Sequence, residues 1–504
     1  MAILMDFFDN LALGLSVAFS WSNLFWCFVG VTLGTFIGVL PGIGALAAVS
    51  LLLPVTFHLD PTSALVMLAG VYYGSAYGGS TASILLNLPG TPSSAVACLD
   101  GYPMSRQGRA GVALLMSALG SFIGGVIGIL LMMLFSPLIV DAALSFGPPE
   151  YFTMMVLGLI AASTISTGTP IKGIAMVVLG VLLGLIGTDI ETGTPRLAFD
   201  LPELFDGIGL VAIAMGLFGV SEVIASIKVI RSGHIEKKIT FRSMIPTRDD
   251  VRRFWFPVLR GAGIGSFFGA LPGTGGVIAS FVAYAVEKKV SSEPERFGKG
   301  AIEGVVAPET ANNAADQTAF IPTMTLGIPG SVVMALMIGA LMIHGISPGP
   351  QMMTKNPDLF WGLIMSFWIG NVLLLVLNIP LIGIWVRVLV IPYHVLYPAV
   401  LMFVCIGVYS INNSTFDVYM VMLFGGVGYI MRLVDLQPAP LLLGFVLGPL
   451  MEENLRRTLI ISRGEFTIFM ARPLSAAFIV VTLALLAWAL WNALPRRSAI
   501  EGAR

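Results

Sequence analysis

Four Pro-Gly dipeptides interrupt apolar stretches of the chain: Pro41-Gly42, Pro89-Gly90, Pro272-Gly273 and Pro329-Gly330. Proline removes a backbone donor and clashes with the preceding helical turn, while glycine adopts dihedral angles that other residues avoid. Each dipeptide can therefore end one half-helix and begin another. The N-terminus of a half-helix favours an anion such as a carboxylate, and unwound carbonyl groups coordinate sodium. We therefore predict that these dipeptides contribute to a substrate-binding site.

Uncharged polar side chains accompany the second dipeptide, in residues 72–95, "YYGSAYGGSTASILLNLPGTPSSA". Hydroxyl and amide groups can bind a carboxylate without carrying a formal charge into a bilayer. We predict that Ser80, Thr81, Asn87 and Thr91 bind the substrate. Hydrogen bonding between helices is the alternative, and it is our interpretation of most of the other serines.

A second polar segment, residues 307–331, precedes and includes the fourth dipeptide. It contains Glu309, Asn312, Asn313 and Asp316, whose side chains carry oxygen atoms suited to a proton or a hard cation. We predict that these four residues bind a coupling cation. The alternative for Glu309 and Asp316 is an aqueous loop, because a carboxylate inside a membrane is costly unless it is used or paired.

The residue patterns do not indicate a metal site, ATP hydrolysis or a redox site. The four histidines are scattered without the spacing of metal ligands, and no Walker A sequence occurs. Cys27, Cys98 and Cys405 stand alone in apolar stretches, as buried small side chains do, without the spacing of a redox or metal motif. We therefore predict no catalytic residue, no metal site, no disulfide and no cofactor other than a coupling cation, and we expect that the protein is not an enzyme.

The composition places the chain in a membrane. Hydrophobic residues make up 56% of its 504 residues and charged residues only 11%, and the mean hydropathy is +0.91. This leaves too little polar surface for a soluble protein of this length. Because a membrane span needs about 20 apolar residues, we predict an all-α polytopic protein with roughly 11 to 13 hydrophobic segments.

Charge differs sharply between two neighbouring loops. Basic residues dominate residues 228–260, whereas acidic residues dominate residues 188–205, and one apolar segment separates the two. The positive-inside rule predicts that the basic loop is cytoplasmic and the acidic loop periplasmic. Arg496, Arg497 and Arg504 favour a cytoplasmic C-terminus. Beside membrane spans, the basic loop indicates topology rather than nucleic-acid binding.

The chain contains two similar halves. Gly30, Gly34, Gly38 and "LPG" at residues 40–42 recur as Gly261, Gly265, Gly269 and "LPG" at residues 271–273, while "LNLPGTPSSA" corresponds to "LGIPGSVVMA". A single dipeptide could be a proline kink, but four in two matched pairs indicate helix breaks at a shared site. We predict an N-terminal repeat over 1–230, a cytoplasmic linker over 231–260 and a C-terminal repeat over 261–504. The repeats are inverted or parallel, and we favour inverted repeats with broken or re-entrant helices.

Five long motifs in order resemble the large membrane subunit of the tripartite tricarboxylate transporters, the TctA type. They are "GVLPGIGALAAVSLLLPVTF", "YYGSAYGGSTASILLNLPGTPSSAVACLDGYPMSRQGRAG", "GALPGTGG", "APETANNAADQTAFIPTMTLGIPGS" and "HGISPGPQMM". The resemblance covers the chain from about Asn23 to Leu494. It implies a secondary transporter of the bacterial inner membrane, driven by a cation gradient. It also implies two partners, a small membrane subunit of the TctB type and a periplasmic solute-binding protein of the TctC type.

Together these observations predict import of a di- or tricarboxylate, or a related organic anion, by symport with sodium or protons. An intramembrane enzyme, a lipid flippase-like protein and a channel are the alternatives from other classes. No nucleophile and base at sensible spacing supports an enzyme.

Overall fold

The computed structural model describes residues 2–40, 42–165, 169–189, 192–226, 239–273, 275–389 and 393–493. Pro41, part of the linker and the C-terminal arginines therefore lie outside the described residues. Among the described residues the regular elements are helices and one short antiparallel hairpin, β1 (Gly187–Thr188) and β2 (Pro195–Arg196). The helices are α1 (Ala2–Ala18), α2 (Trp21–Val39), α3 (Gly44–Thr56), α4 (Pro61–Leu86), α5 (Ala97–Met104), α6 (Ala110–Ala143), α7 (Pro148–Ile165), α8 (Pro170–Gly184), α9 (Leu210–Ala214), α10 (Ser221–Ser226), α11 (Arg248–Ala270), α12 (Gly275–Val290), α13 (Glu303–Thr318), α14 (Phe320–Leu326), α15 (Val332–Ile343), α16 (Gln351–Lys355), α17 (Pro357–Asn378), α18 (Ile382–Val388), α19 (Tyr393–Asn412), α20 (Thr415–Leu433), α21 (Pro438–Ile461), α22 (Ile468–Ala471) and α23 (Pro473–Ala493).

Several helices have the length and apolar composition that a membrane span requires. Within the described residues, four helical stretches meet both conditions: α2, residues 93–143, α17 and α20. Shorter apolar helices, such as α3 and α15, accompany them. The predicted class, an all-helical membrane protein, is therefore confirmed.

The chain forms two compact units. The first contains Met1–Leu144 and Gly209–Tyr429, and the second contains Ser145–Ile208 and Ile430–Arg504. Each unit thus combines segments from both sides of the predicted linker, so the units do not correspond to the predicted repeats. The repeat boundaries stay a prediction about ancestry.

Helices α2 and α4 pack closely in the first unit because glycines let their backbones touch. A Cβ atom added at Gly30, Gly34 or Gly38 would lie 2.3 Å from a carbonyl oxygen of α4. The oxygens belong to Met67, Val71 and Ser75, in that order. The two helices therefore run parallel, and any larger residue at these glycines would separate them.

Helices α11 and α13 pack in the same way. A Cβ atom added at Gly261, Gly265 or Gly269 would lie 2.5, 2.2 and 2.3 Å from the carbonyl oxygens of Ala307, Ala311 and Ala315. Residue numbers again rise together along both helices, so this pair is also parallel. The small side chains of α13 and α12 complete a buried alanine cluster at this contact.

Helices end or begin beside each Pro-Gly dipeptide, as the local chemistry predicts. Gly42 lies between α2 and α3, and Pro272-Gly273 lies between α11 and α12. Pro89-Gly90 follows the end of α4, while Pro329-Gly330 separates α14 from α15. All but Pro41 can be assigned in this way, since Pro41 is not among the described residues.

The second unit is organised around α8 and α21. A Cβ atom at Gly180 would lie 2.0 Å from the carbonyl oxygen of Leu441, so these helices also pack through glycine. The hairpin is tied to α21 by charge: Arg456 binds Asp189 at 2.6 Å, and Arg196 binds Glu452 at 2.7 Å. These ion pairs hold the predicted periplasmic loop against the end of a helix.

Candidate substrate and cation site

Helices α4 and α13 bring the predicted polar residues together inside the first unit. The hydroxyl of Tyr72 donates to Asp316 Oδ1 at 2.5 Å, and the hydroxyl of Ser80 donates to Glu309 Oε2 at 2.6 Å. All four side chains are buried. Because the later residue of α4 meets the earlier residue of α13, the two helices run antiparallel.

Glu309 lies in a pocket of hydroxyl groups. Its carboxylate accepts hydrogen bonds from Ser80 and, at 3.4 Å, from Ser121 on α6. Ser80 also lines a cavity of about 10 Å³, which is room for about one water molecule. The other residues around this cavity are Tyr77, Thr81, Leu114, Ser117, Ala118 and Asn378.

Two asparagines of α17 border this region, and they differ in hydrogen bonding. Asn371 accepts from the Tyr77 hydroxyl at 3.2 Å and donates to the carbonyl of Phe122 at 3.0 Å. Asn378 donates to the carbonyl of Leu374, but its Oδ1 atom is buried and has no partner among the described residues. Asn371 therefore has the contacts of a structural amide, whereas Asn378 retains a free acceptor.

Asp316 and Asn312 lie one turn apart on α13, facing the start of α12. A Cβ atom added at Gly276 would lie 2.2 Å from Asn312 Oδ1 and 2.9 Å from Asp316 Oδ1, so both oxygens face the same point. Asn312 is 1% exposed. Neither its Oδ1 nor its Nδ2 atom has a hydrogen-bond partner within the described chain. A buried amide without partners costs about 1–3 kcal/mol and is rare in folded proteins.

Neither carboxylate has a basic partner. Among the described residues, no lysine, arginine or histidine forms an ion pair with Glu309 or Asp316, although such pairs stabilise other buried acids, for example Glu287 with Arg260. A buried charge without a partner is strongly unfavourable. The arrangement is therefore suited to holding a proton or a hard cation on each carboxylate. The predicted alternative of an aqueous loop is wrong for both residues, because both are buried within a helix.

The two helix breaks of each half lie against each other. In the second half, the backbone N–H of Gly273 donates to the carbonyl of Gly330 at 3.0 Å. In the first half, a Cβ atom at Gly90 would lie 2.3 Å from the carbonyl oxygen of Gly38. The halves also meet here, since the Ser280 hydroxyl on α12 donates to the carbonyl of Ser93 at 3.1 Å. The two breaks of the second half thus lie near the start of α12, which faces Asn312, and the segment after Pro89-Gly90 contacts α12 through Ser93.

The remaining predicted residues have varied positions. Asn313 is buried, and its side chain donates to the carbonyl of Glu309 at 3.0 Å. Thr91 is buried beside Gly79 and bonds the hydroxyl of Ser93 at 3.1 Å. Thr81 lines the small cavity.

Asn87 is exposed and ends α4 in the left-handed conformation, with φ 58° and ψ 34°. Gly327 ends α14 in the same conformation, with φ 71° and ψ 22°. Glycine and asparagine are the residues that most readily end a helix in this way. The backbone at Asn87 therefore accounts for the choice of asparagine there without a ligand.

Several residues of this region were not predicted from the sequence. Tyr72 and Tyr77 lie within the quoted polar segment, but only serine, threonine and asparagine side chains of that segment were predicted to bind the substrate. Asn371 and Asn378 are amides within an apolar span, so the rule that intramembrane polar residues are functional or paired would have identified them. No local sequence signal distinguished Gly276, because its role depends on the side chains of Asn312 and Asp316 that face it in the folded chain.

Asp100 was also missed, and it connects the two halves. Its Oδ1 atom accepts from the backbone N–H groups of Gly298, Gly300 and Ala301 at 2.8–2.9 Å. Its other oxygen accepts from the Tyr284 hydroxyl at 3.0 Å. Gly298 and Gly300 have φ of 83° and 101°, which turns successive N–H groups towards one carboxylate. The Asp100 side chain is fully buried, and its contacts position the chain where it enters α13.

Comparisons with known proteins identify the family of this chain. Residues 24–443 match the family described as "Tripartite tricarboxylate transporter TctA family". The "Uncharacterized 52.8 kDa protein in TAR-I ttuC' 3'region" of Agrobacterium vitis is 50% identical over 481 residues, which cover 95% of this chain and 96% of that protein. The "Uncharacterized protein in TAR-II ttuC' 3'region" of the same organism is 58% identical over 215 residues, which cover 43% of this chain and 89% of that protein. No solved structure matches the chain. The chain therefore belongs to the tripartite tricarboxylate transporter TctA family.

Proposed function

We propose that this chain is the large membrane subunit of a symporter that imports a di- or tricarboxylate, or a related organic anion, with sodium or protons. Membership of the family supports transport. The observation that carries the mechanism is the contact between the Pro272-Gly273 and Pro329-Gly330 breaks near the start of α12. This start faces the buried amide of Asn312, which has no partner among the described residues. Broken helices at corresponding positions are typical of the binding sites of secondary transporters.

The two halves are inverted repeats in this proposal. The glycine contacts support a repeat. The three glycines of α2 contact Met67, Val71 and Ser75 of α4, and the corresponding glycines of α11 contact Ala307, Ala311 and Ala315 of α13. Each residue of the second set follows its counterpart in the first by the same number of positions. The direction of the helices supports inversion. Parallel repeats leave corresponding helices pointing the same way, whereas α4 and α13 run antiparallel.

The substrate carboxylate binds near the starts of α12 and α15, which follow Pro272-Gly273 and Pro329-Gly330. The first turn of a helix presents free N–H groups and the positive end of its dipole. In the first half, the Pro41-Gly42 and Pro89-Gly90 breaks, with Thr81 and Thr91, complete the predicted substrate site, whereas Asn87 acts there only as the cap of α4. Ser80 is hydrogen-bonded to Glu309, so its hydroxyl links this site to the cation site.

Asn312, Asn313, Asp316 and Glu309 bind the coupling cation. Both carboxylates are buried without a basic partner among the described residues, and a bound cation or proton would compensate their charge. Import also requires the two partners that the family implies, a small membrane subunit and a periplasmic solute-binding protein. The protein then lies in the bacterial inner membrane, with the basic linker and the C-terminus in the cytoplasm.

Reconstitution tests this function. The chain and its small membrane subunit are purified together and inserted into liposomes, and the solute-binding protein is supplied with labelled carboxylate on the outside. We expect uptake only when an inward sodium or proton gradient is imposed and the binding protein is present. Uptake that equilibrates without any cation gradient would favour a channel, and consumption of the carboxylate would favour an enzyme. Either result would overturn the proposal.

A further inference from the structure

Glu309 and Asp316 lie in two separate polar pockets on one helix. Asp316 lies seven positions after Glu309 on α13, which corresponds to about 10 Å along the helix axis at about 1.5 Å per residue. Bonds between a hard cation and its oxygen ligands are only about 2.0–2.6 Å long. The two carboxylates are also hydrogen-bonded to different residues of α4, Tyr72 and Ser80, which lie about two turns apart. In this arrangement one ion therefore does not bind both carboxylates at once.

Each pocket contains its own donors and its own unused polar atom. Asp316 is bonded by Tyr72 and faces the same point as Asn312, whose two polar atoms have no partner in the described chain. Glu309 is bonded by Ser80. The cavity beside Ser80 is bordered by Asn378, whose buried Oδ1 atom also has no described partner. Asn312 therefore offers unused polar atoms beside Asp316, and Asn378 offers an unused oxygen to the cavity beside Ser80, the residue that binds Glu309.

The two carboxylates need separate neutralisation. Glu309 is 1% exposed and Asp316 is 3% exposed, and neither forms an ion pair with a basic residue within the described parts of the chain. At such burial, an unpaired charge costs several kcal/mol. Since no shared cation can reach both, each carboxylate requires its own proton or metal cation in at least one state of the cycle.

We propose that Glu309 and Asp316 are two distinct coupling sites, so that each transport cycle carries at least two monovalent cations together with the carboxylate. This inference rests on the proposed symport function and adds its stoichiometry. The Asp316 site includes Asn312 and Tyr72. The Glu309 site includes Ser80, Ser121 and the small cavity.

The ratio of charge to substrate tests the inference in liposomes that contain the complete transporter. The reversal potential is measured at several cation and carboxylate gradients for the wild-type protein, Glu309→Gln, Asp316→Asn and the control Asp358→Asn. Asp358 is an exposed carboxylate at the start of α17. We expect each of the first two variants to lose one charge per substrate molecule, while the control keeps the wild-type ratio.

If a variant folds but does not transport, equilibrium binding of cations tests the inference instead. Sodium bound and protons taken up are counted together in detergent, and we expect the wild-type chain to take two cations and either variant to take one. Tyr72→Phe and Ser80→Ala leave both carboxylates in place. We expect each of these to weaken the apparent cation affinity about tenfold or more while the ratio stays the same.

A wild-type ratio that neither carboxylate variant changes, or wild-type binding of only one cation, would overturn the two-site inference while leaving symport intact. By contrast, wild-type liposomes without cation-driven uptake would refute the proposed function itself. The two failures are therefore distinguishable.

Discussion

Replacing Asn312 by alanine distinguishes an amide that binds a ligand from one that holds helices together. Its two polar atoms have no partner among the described residues, so the change removes no hydrogen bond within the described chain. It also removes a buried amide whose missing partners cost about 1–3 kcal/mol. The small cavity left by the shortened side chain costs a comparable amount. We therefore expect the melting temperature in detergent to stay nearly unchanged.

Transport by Asn312→Ala should change much more than stability. A hydrogen bond to a charged ligand contributes about 1.5–3 kcal/mol. At about 1.4 kcal/mol for each factor of ten, the half-saturation constant for the carboxylate or for the coupling cation should rise about tenfold or more. Initial uptake rates are measured in liposomes against both concentrations, with the solute-binding protein present.

Asn371→Ala is the matched control, because Asn371 is a buried amide with two hydrogen bonds to the protein, to Tyr77 and Phe122. Each bond contributes about 0.5–1.5 kcal/mol. This variant should therefore melt at a lower temperature and keep its half-saturation constants. If Asn312→Ala keeps both constants, or loses stability as Asn371→Ala does, the reasoning from its unpartnered amide is refuted.

Four further predictions each concern a single residue. Asn87→Gly should keep wild-type stability and uptake, because glycine also ends a helix in the left-handed conformation. Asn87→Val should lower the melting temperature, and equal melting temperatures of the two variants would contradict this capping role. Gly265→Val should abolish folded protein on size-exclusion chromatography, since even a Cβ atom would lie 2.2 Å from the Ala311 carbonyl oxygen, and a normal yield would disprove this close packing. Asp100→Asn should lower the free energy of unfolding by about 1–3 kcal/mol, because it weakens the hydrogen bonds that the carboxylate accepts from three backbone N–H groups. Thermal unfolding measures this change, and an unchanged melting temperature would contradict the role of Asp100. A cysteine at the exposed Thr240 should react with an impermeant reagent only after the cells are opened, and labelling in intact spheroplasts would place this loop outside.

The sequence alone determined the features that depend on local chemistry. Proline and glycine dictate where a helix ends, so the breaks after α4, α11 and α14 could be located from residue types alone. The apolar composition determined the membrane class, and the five motifs determined the family. The glycines of α2 and α11 indicated close packing, but not which helix they contact.

Only the tertiary structure decided which polar residues meet. Tyr72 and Asp316 are far apart in sequence, and their hydrogen bond exists because α4 and α13 pack side by side. Asn87, Asn312 and Asn371 have the same side chain, yet the first is exposed, the second is buried without a described partner and the third is buried and fully engaged. The difference arises because a side chain's partners and solvent exposure are set by the elements packed around it, which residue type and local spacing do not specify.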